Sequence, residues 1–205
     1  MPRAWNDLRW DEECPGLVKL VASRKTIAWE QVPVSDPALD RYLEQVAAAY
    51  VNGGYLLSRW RAVEYSDTTT WYTARRQIDG YGLLRTFFGN EVVREGLAPL
   101  QLAPDPDISS LEEPLAATLS LDGMLAWVLV NGGAHKAYEG PAREAKALAV
   151  TATEALTQNR FEDFHVHVSR DAWTPWFYDV AWDHTYVLTD LANAEITVLC
   201  ITDTD

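Results

Sequence analysis

The chain has 205 residues, with 30 acidic against 17 basic side chains for a net charge of −13, and it carries nine tryptophans and two cysteines. One domain of that length buries a sizeable core without staples, and the charge repels phosphate backbones, which argues against nucleic acid as a direct ligand. No run approaches the roughly 18 apolar residues of a membrane span. Met1 to Cys14 lacks the apolar stretch of a signal peptide and the cysteines show no CxxC spacing, so a cytoplasmic protein is expected, with no membrane contact.

The chain opens with Trp5 and Trp10 among charged residues. Leu17 to Gln31 alternates loosely, with Val18, Leu20, Ile27 and Trp29 as inward candidates, and predicts one or two strands. Ser35-Asp36-Pro37 is a helix start, because Ser or Asp caps the first amides and Pro suits the first turn. Leu39, Leu43, Val46, Ala47 and Tyr50 follow at helical spacing as far as Asn52-Gly53-Gly54, where glycine allows a left-handed ending.

Tyr55 to Phe88 reads as sheet. Tyr55 to Tyr65 and Thr68 to Thr73 are rich in strand-favouring residues, with a turn at Ser66-Asp67. Arg75 to Ile78 and Tyr81 to Phe88 flank Asp79-Gly80, a hairpin-turn dipeptide. Asn90 to Glu95 predicts a short helix stopped by Gly96. Pro99, Pro104, Pro106 and Pro114 then mark an irregular acidic connection over 98–114, either a boundary between subdomains or a long surface loop.

In the second half, Asp122 is a candidate cap for a segment with Leu125, Val128 and Leu129 inward, ended by Asn131-Gly132-Gly133. The apolar run 125–130 equally suits a buried strand. Gly140-Pro141 opens an alanine-rich helix from Ala142 to about Asn159, whose stripe Ala145, Leu148, Ala149, Ala152 and Leu156 is small enough for close packing. Phe164, Val166 and Val168 alternate with His165, His167 and Ser169 as a strand. Thr185 to Thr189 and Ile196 to Ile201 form a hairpin across Asp190 to Glu195. The second arm has almost no polar alternation and belongs in the middle of the sheet. The expected fold is α+β, a mixed, mainly antiparallel sheet with helices packed on one face.

Charge is unevenly placed. From Phe161 to the end there are nine acidic residues against Arg170 alone, and between Arg94 and Lys136 there is no lysine or arginine. Within the C-terminal stretch, Trp173, Trp176, Phe177, Tyr178 and Trp182 lie among Asp171, Asp179 and Asp183. Flat rings beside carboxylates suit a binding surface for a basic protein or a sugar, with Trp173, Trp176, Tyr178, Asp179, Trp182 and Asp183 as the candidates. The opposing reading is a ring plug at one end of the sheet.

His165 and His167 on one strand face lie about 6 to 7 Å apart at the backbone and would serve as metal ligands if a third arrived, from His184, Asp179 or Asp183. Zn²⁺ or another divalent transition metal held there would activate water for hydrolysis. Asp203 and Asp205 are a weaker cation site or simply a frayed acidic tail. His167-Val168-Ser169 matches the HxS/T element of two-histidine phosphoesterases, but no second copy follows. GxSxG, GxGxxG and GxxxxGKS/T are missing, so the glycine pairs read as helix ends. Two function classes follow: an acidic binding protein, of toxin-neutralising or assembly type, that engages a basic partner without a cofactor, or a metal-assisted hydrolase using the His165/His167 face.

Overall fold

The computed structural model describes residues 14–75, 77 and 82–205. Trp5, Trp10 and the Asp79-Gly80 turn lie outside the described residues. Five strands form one sheet: β1 (Ala28–Val32), β2 (Gly54–Glu64), β3 (Phe164–Ser169), β4 (His184–Asp190) and β5 (Glu195–Thr202). Their spatial order is β1-β2-β5-β4-β3 and every pairing is antiparallel. The apolar run of β5 is central, as its lack of alternation predicts. Ile196, Val198 and Cys200 face one side and Leu199 and Ile201 the other, all of them buried. The β4–β5 hairpin turns where the Asp190 carboxylate accepts the amides of Ala192 and Asn193 and Ala194 takes a left-handed φ of 56°.

The helices are α1 (Leu17–Arg24), α2 (Pro37–Ala49), α3 (Asp67–Thr73), α4 (Leu83–Gly89), α5 (Glu91–Gly96), α6 (Ala117–Asn131) and α7 (Ala142–Thr157). Together with the antiparallel sheet they make an α+β fold. The three long helices, α2, α6 and α7, lie on one face and share a core with Phe164, Val166, Tyr186, Leu188, Leu199 and Ile201. Asp36 starts α2 by accepting the amides of Ala38 and Leu39. Ala145, Ala149 and Ala152 of α7 are fully buried, so that helix nests closely against α6 and α2 rather than lying directly on the sheet. The other face is not open. Short helices α4 and α5 close it with Trp29, Trp60, Phe87 and Phe88 over Val187, Ile196 and Val198, so helices on one face describes the long ones alone.

Three segments that favour strands by composition are helical. Thr68 to Thr73 lies in α3, because Ser66 Oγ accepts the Thr69 amide and the hydroxyls of Thr70 and Thr73 donate to carbonyls one turn back. Trp71 and Tyr72 thereby meet Leu20 of α1, which replaces the first predicted strand of Leu17 to Gln31. In α4 the buried residues are Leu83, Leu84, Phe87 and Phe88, one and four apart, a helical period where the sequence reads as a hairpin arm. α6 is a helix throughout. Asp122 sits inside it, and its start follows Ala116 in a left-handed conformation after Pro114.

The connection 98–114 is stitched to the sheet edge, where Glu112 and Val168 exchange backbone hydrogen bonds of 2.8 and 2.9 Å. No helix among the described residues is long and apolar enough to cross a membrane.

Candidate functional site

Residues directly opposite in an antiparallel pair share a face. His165 and His167 oppose Thr189 and Val187, on the face closed by α4 and α5, whereas His184 opposes Ile201 on the face covered by the long helices. The sheet therefore separates His184 from the other two, and the three predicted metal ligands do not converge. Asp183 is no substitute. Its carboxylate is buried and accepts the Val180 amide and the Thr202 hydroxyl. Among the described residues no group of three or more His, Cys, Asp or Glu side chains is arranged to hold a metal ion.

The aromatic candidates divide in the same way. Trp173 donates its indole N–H to Thr185 Oγ1 at 2.8 Å and sets its ring 4.9 Å from Phe88, while Trp176 stacks edge-on to buried Phe177 at 5.1 Å. Both pack on the α4/α5 core. Trp182 packs on the opposite core, against the long helices, and Tyr178 and Asp179 are exposed on the turn between them. Rings and carboxylates predicted to form one surface thus sit on two sides of the sheet, with most indole area turned inward.

The acidic residues nearby are largely internal ties. Asp190 and Asp163 pair with Arg160, and buried Glu195 pairs with Arg61 and Arg59 across the β2–β5 ladder. Asp203, predicted to chelate or fray, is fully buried and accepts the amides of Asn52 and Ala134 at 2.8 Å each. Gly133 leaves room for it, since a Cβ there would stand 2.2 Å from the Asp203 carboxylate. Burial pushes the Cys200 thiol up to about 12, which leaves it an inert core group.

The surface that the sequence did not single out is α6. Its buried residues Leu121, Leu125, Val128 and Leu129 face the core, yet the outer side is apolar as well. Leu119, Gly123, Trp127 and Val130 fall on one outward stripe, and Leu115 extends it at the N-terminal end. Leu115 is 98% exposed, Leu119 73%, Val130 47% and Trp127 41%. A helix apolar all round is normally enclosed, yet this stripe is exposed. The signal in the sequence was the apolar composition of 115–130 on both sides of the helical wheel, which a strand reading of 125–130 concealed.

A cleft of about 400 Å³ opens beside this stripe, between α6, the end of β3 and β4. Glu112, Met124, Arg170, Asp171, His184 and Tyr186 contribute to its walls. Arg170 belongs to the same wall, its guanidinium 4.7 Å from the Trp127 ring centroid, and Trp127 meets His184 edge to face at 5.8 Å. His184 is 1% exposed and its Nε2 has no hydrogen-bond partner among the described residues. Burial, with the Arg170 charge adding to it, pushes its pKa down to about 4, so the imidazole is neutral at pH 7. Burial raises the Tyr186 phenol well above its ordinary range, and it stays protonated too. Ser169 donates to Ser110 and accepts the Asp171 amide, which fixes the loop that carries Asp171 at the rim.

No family model matches the chain, and no curated protein or solved structure is significantly similar to it.

Proposed function

We propose that this is a binding protein that engages a basic protein partner, in the manner of a toxin-neutralising or assembly factor, through the exposed stripe of α6. The observation that carries the reading is the bare row Leu119, Trp127 and Val130, extended by Leu115 just before the helix, on a helix whose other side is already core. Charge selects the partner. All of α6 lies in the segment between Arg94 and Lys136 that has no lysine or arginine, Glu112 and Glu113 are exposed at its approach, and the chain carries −13 overall. The fold brings Arg170 onto Trp127 and Lys146 onto Asp122, while Glu112, Glu113 and Asp171 stay uncompensated nearby, and an apolar centre beside such carboxylates suits a basic partner that brings apolar side chains of its own. This reading supersedes the Trp173 to Asp183 surface as the place of contact and keeps the partner's chemistry. It sets the protein in the cytoplasm, which two free cysteines favour.

The test compares tagged wild-type chain with Leu119→Asp and Trp127→Ala as bait. A basic protein should be retained by wild type, lost from both variants, and released as ionic strength rises past the point where the Debye length falls to a few ångströms. A partner that is acidic, or that both variants retain, sinks the reading. So does a self-associated dimer in sedimentation that Leu119→Asp dissociates, since a second copy would then cover the stripe.

A further inference from the structure

We infer that the cleft beside Trp127 is a receptor for the end of one lysine or arginine side chain presented by the partner. The inference rests on the binding reading above and adds the chemistry of its anchor.

Three observations meet there. Glu112 and Asp171 line the cleft, and neither carboxylate has an ion pair or hydrogen bond among the described residues. Asp190, Glu195 and Asp203, at other ends of the sheet, have cationic or amide partners, whereas these two carboxylates stand at a concave site with none among the described residues. The second observation is His184, buried, uncharged and lacking a hydrogen-bond partner at Nε2, in the same wall. A buried ring nitrogen without a partner among the described residues is a hydrogen-bonding capacity that the fold leaves unused beside the cleft. The third is the apolar part of the lining, Met124, Val168 and Pro114, which suits the methylene stem of a long basic side chain while the carboxylates at the mouth take its charged head.

Two carboxylates against the single guanidinium of Arg170, with neutral His184 and Tyr186, leave the cleft net negative. The Arg170 guanidinium lies on the Trp127 face, 4.7 Å from the ring centroid. An anion would meet two like charges at the rim, and a neutral apolar group would strip water from both carboxylates without pairing them. A cation with an apolar stem satisfies both constraints. The anchor also joins the cleft to the stripe: a partner segment that seats its basic residue here lies along Trp127 and Leu119.

The probe is N-acetyl-arginine methylamide, titrated into the isotopically labelled full chain and followed by amide shifts. Saturable shifts at Glu112, at 168–171 and at His184 are expected. The norleucine analogue, which keeps the stem and lacks the charge, should give none. Glu112→Gln with Asp171→Asn should weaken the probe by about tenfold or more, the worth of a charge-assisted hydrogen bond. Arg170→Ala should strengthen it, whereas an anion site would be abolished by that change. All three positions are exposed, and an unchanged spectrum outside the cleft verifies that each variant is folded.

No saturable shift at the cleft, equal shifts with norleucine, or a double variant that binds as wild type does would overturn the inference. The two readings separate. A stripe-dependent partner that binds the Glu112→Gln/Asp171→Asn variant as tightly as wild type removes the anchor and leaves the interface standing. Probe binding at the cleft without any stripe-dependent partner leaves the cation site and removes the interface.

Discussion

Two tryptophan-bearing stretches of this protein put the same residue types to opposite use. In 173–183 the rings of Trp173, Trp176 and Trp182 are turned against the two cores, and Asp183 is a buried acceptor. In α6 Trp127 stands outside with Leu119 and Val130, although its helix is the more apolar of the two segments. What decides is the partner surface each stretch meets. The loop 173–183 crosses the end of the sheet, where Phe88, Phe177 and Thr185 offer ring faces and a hydroxyl acceptor. α6 packs one side against α7, α2 and β3, and its second apolar side stays exposed with no cover among the described residues.

The sharpest way to break this contrast is to truncate one ring on each side. Trp173→Ala removes a packed indole and its hydrogen bond to Thr185 and is expected to lower unfolding free energy by about 3 kcal/mol in urea denaturation. A loss below roughly 1 kcal/mol would make Trp173 a surface ring after all. A nearly equal effect is expected from acid, through His184 below the stripe. Its pKa is 6.5 when unfolded and about 4 when folded, so the folded state holds fewer protons between those values. Stability therefore rises with pH through that window, is complete above it, and loses about 3 kcal/mol as pH falls from 7 to 4. His184→Gln should flatten the difference between unfolding curves at these two pH values, and an undiminished pH dependence would place the imidazole in contact with water.

Asp203→Ala leaves the amides of Asn52 and Ala134 without their acceptor and should destabilise by about 2 kcal/mol, which a frayed tail would not. The smallest effect belongs to α6. Trp127→Ala is expected to change stability by less than about 1 kcal/mol in the same assay while removing partner binding, because the residue is 41% exposed and its ring rests on the Arg170 guanidinium and the edge of His184. A large stability loss there would mean that the outer stripe belongs to the core.

Local chemistry made much of the fold legible. Asp36-Pro37 and Asn90 cap helices where they stand, the alanine stripe of α7 is buried, and the last two strands pair as their β-branched runs imply, because caps, small-residue stripes and period-two alternation act over a few residues. The helices α1, α3 and α4 were not legible, since Thr, Trp and Phe favour strands only weakly and the contacts of Trp71 with Leu20 and of Phe87 with Trp29 and Trp60 override that preference. Of the site, the lack of lysine and arginine along the chain from 95 to 135 was visible, and the exposed side of α6 was not.

The sequence by itself determined the acidity, the α+β class and the central place of β5, because each follows from composition or from a short-range period. Only the tertiary structure decided that His184 is parted from His165 and His167 by the sheet and that Trp127, not Trp173, meets the solvent. Those are properties of which side of a surface a residue occupies, and a side exists only once distant strands and helices have packed.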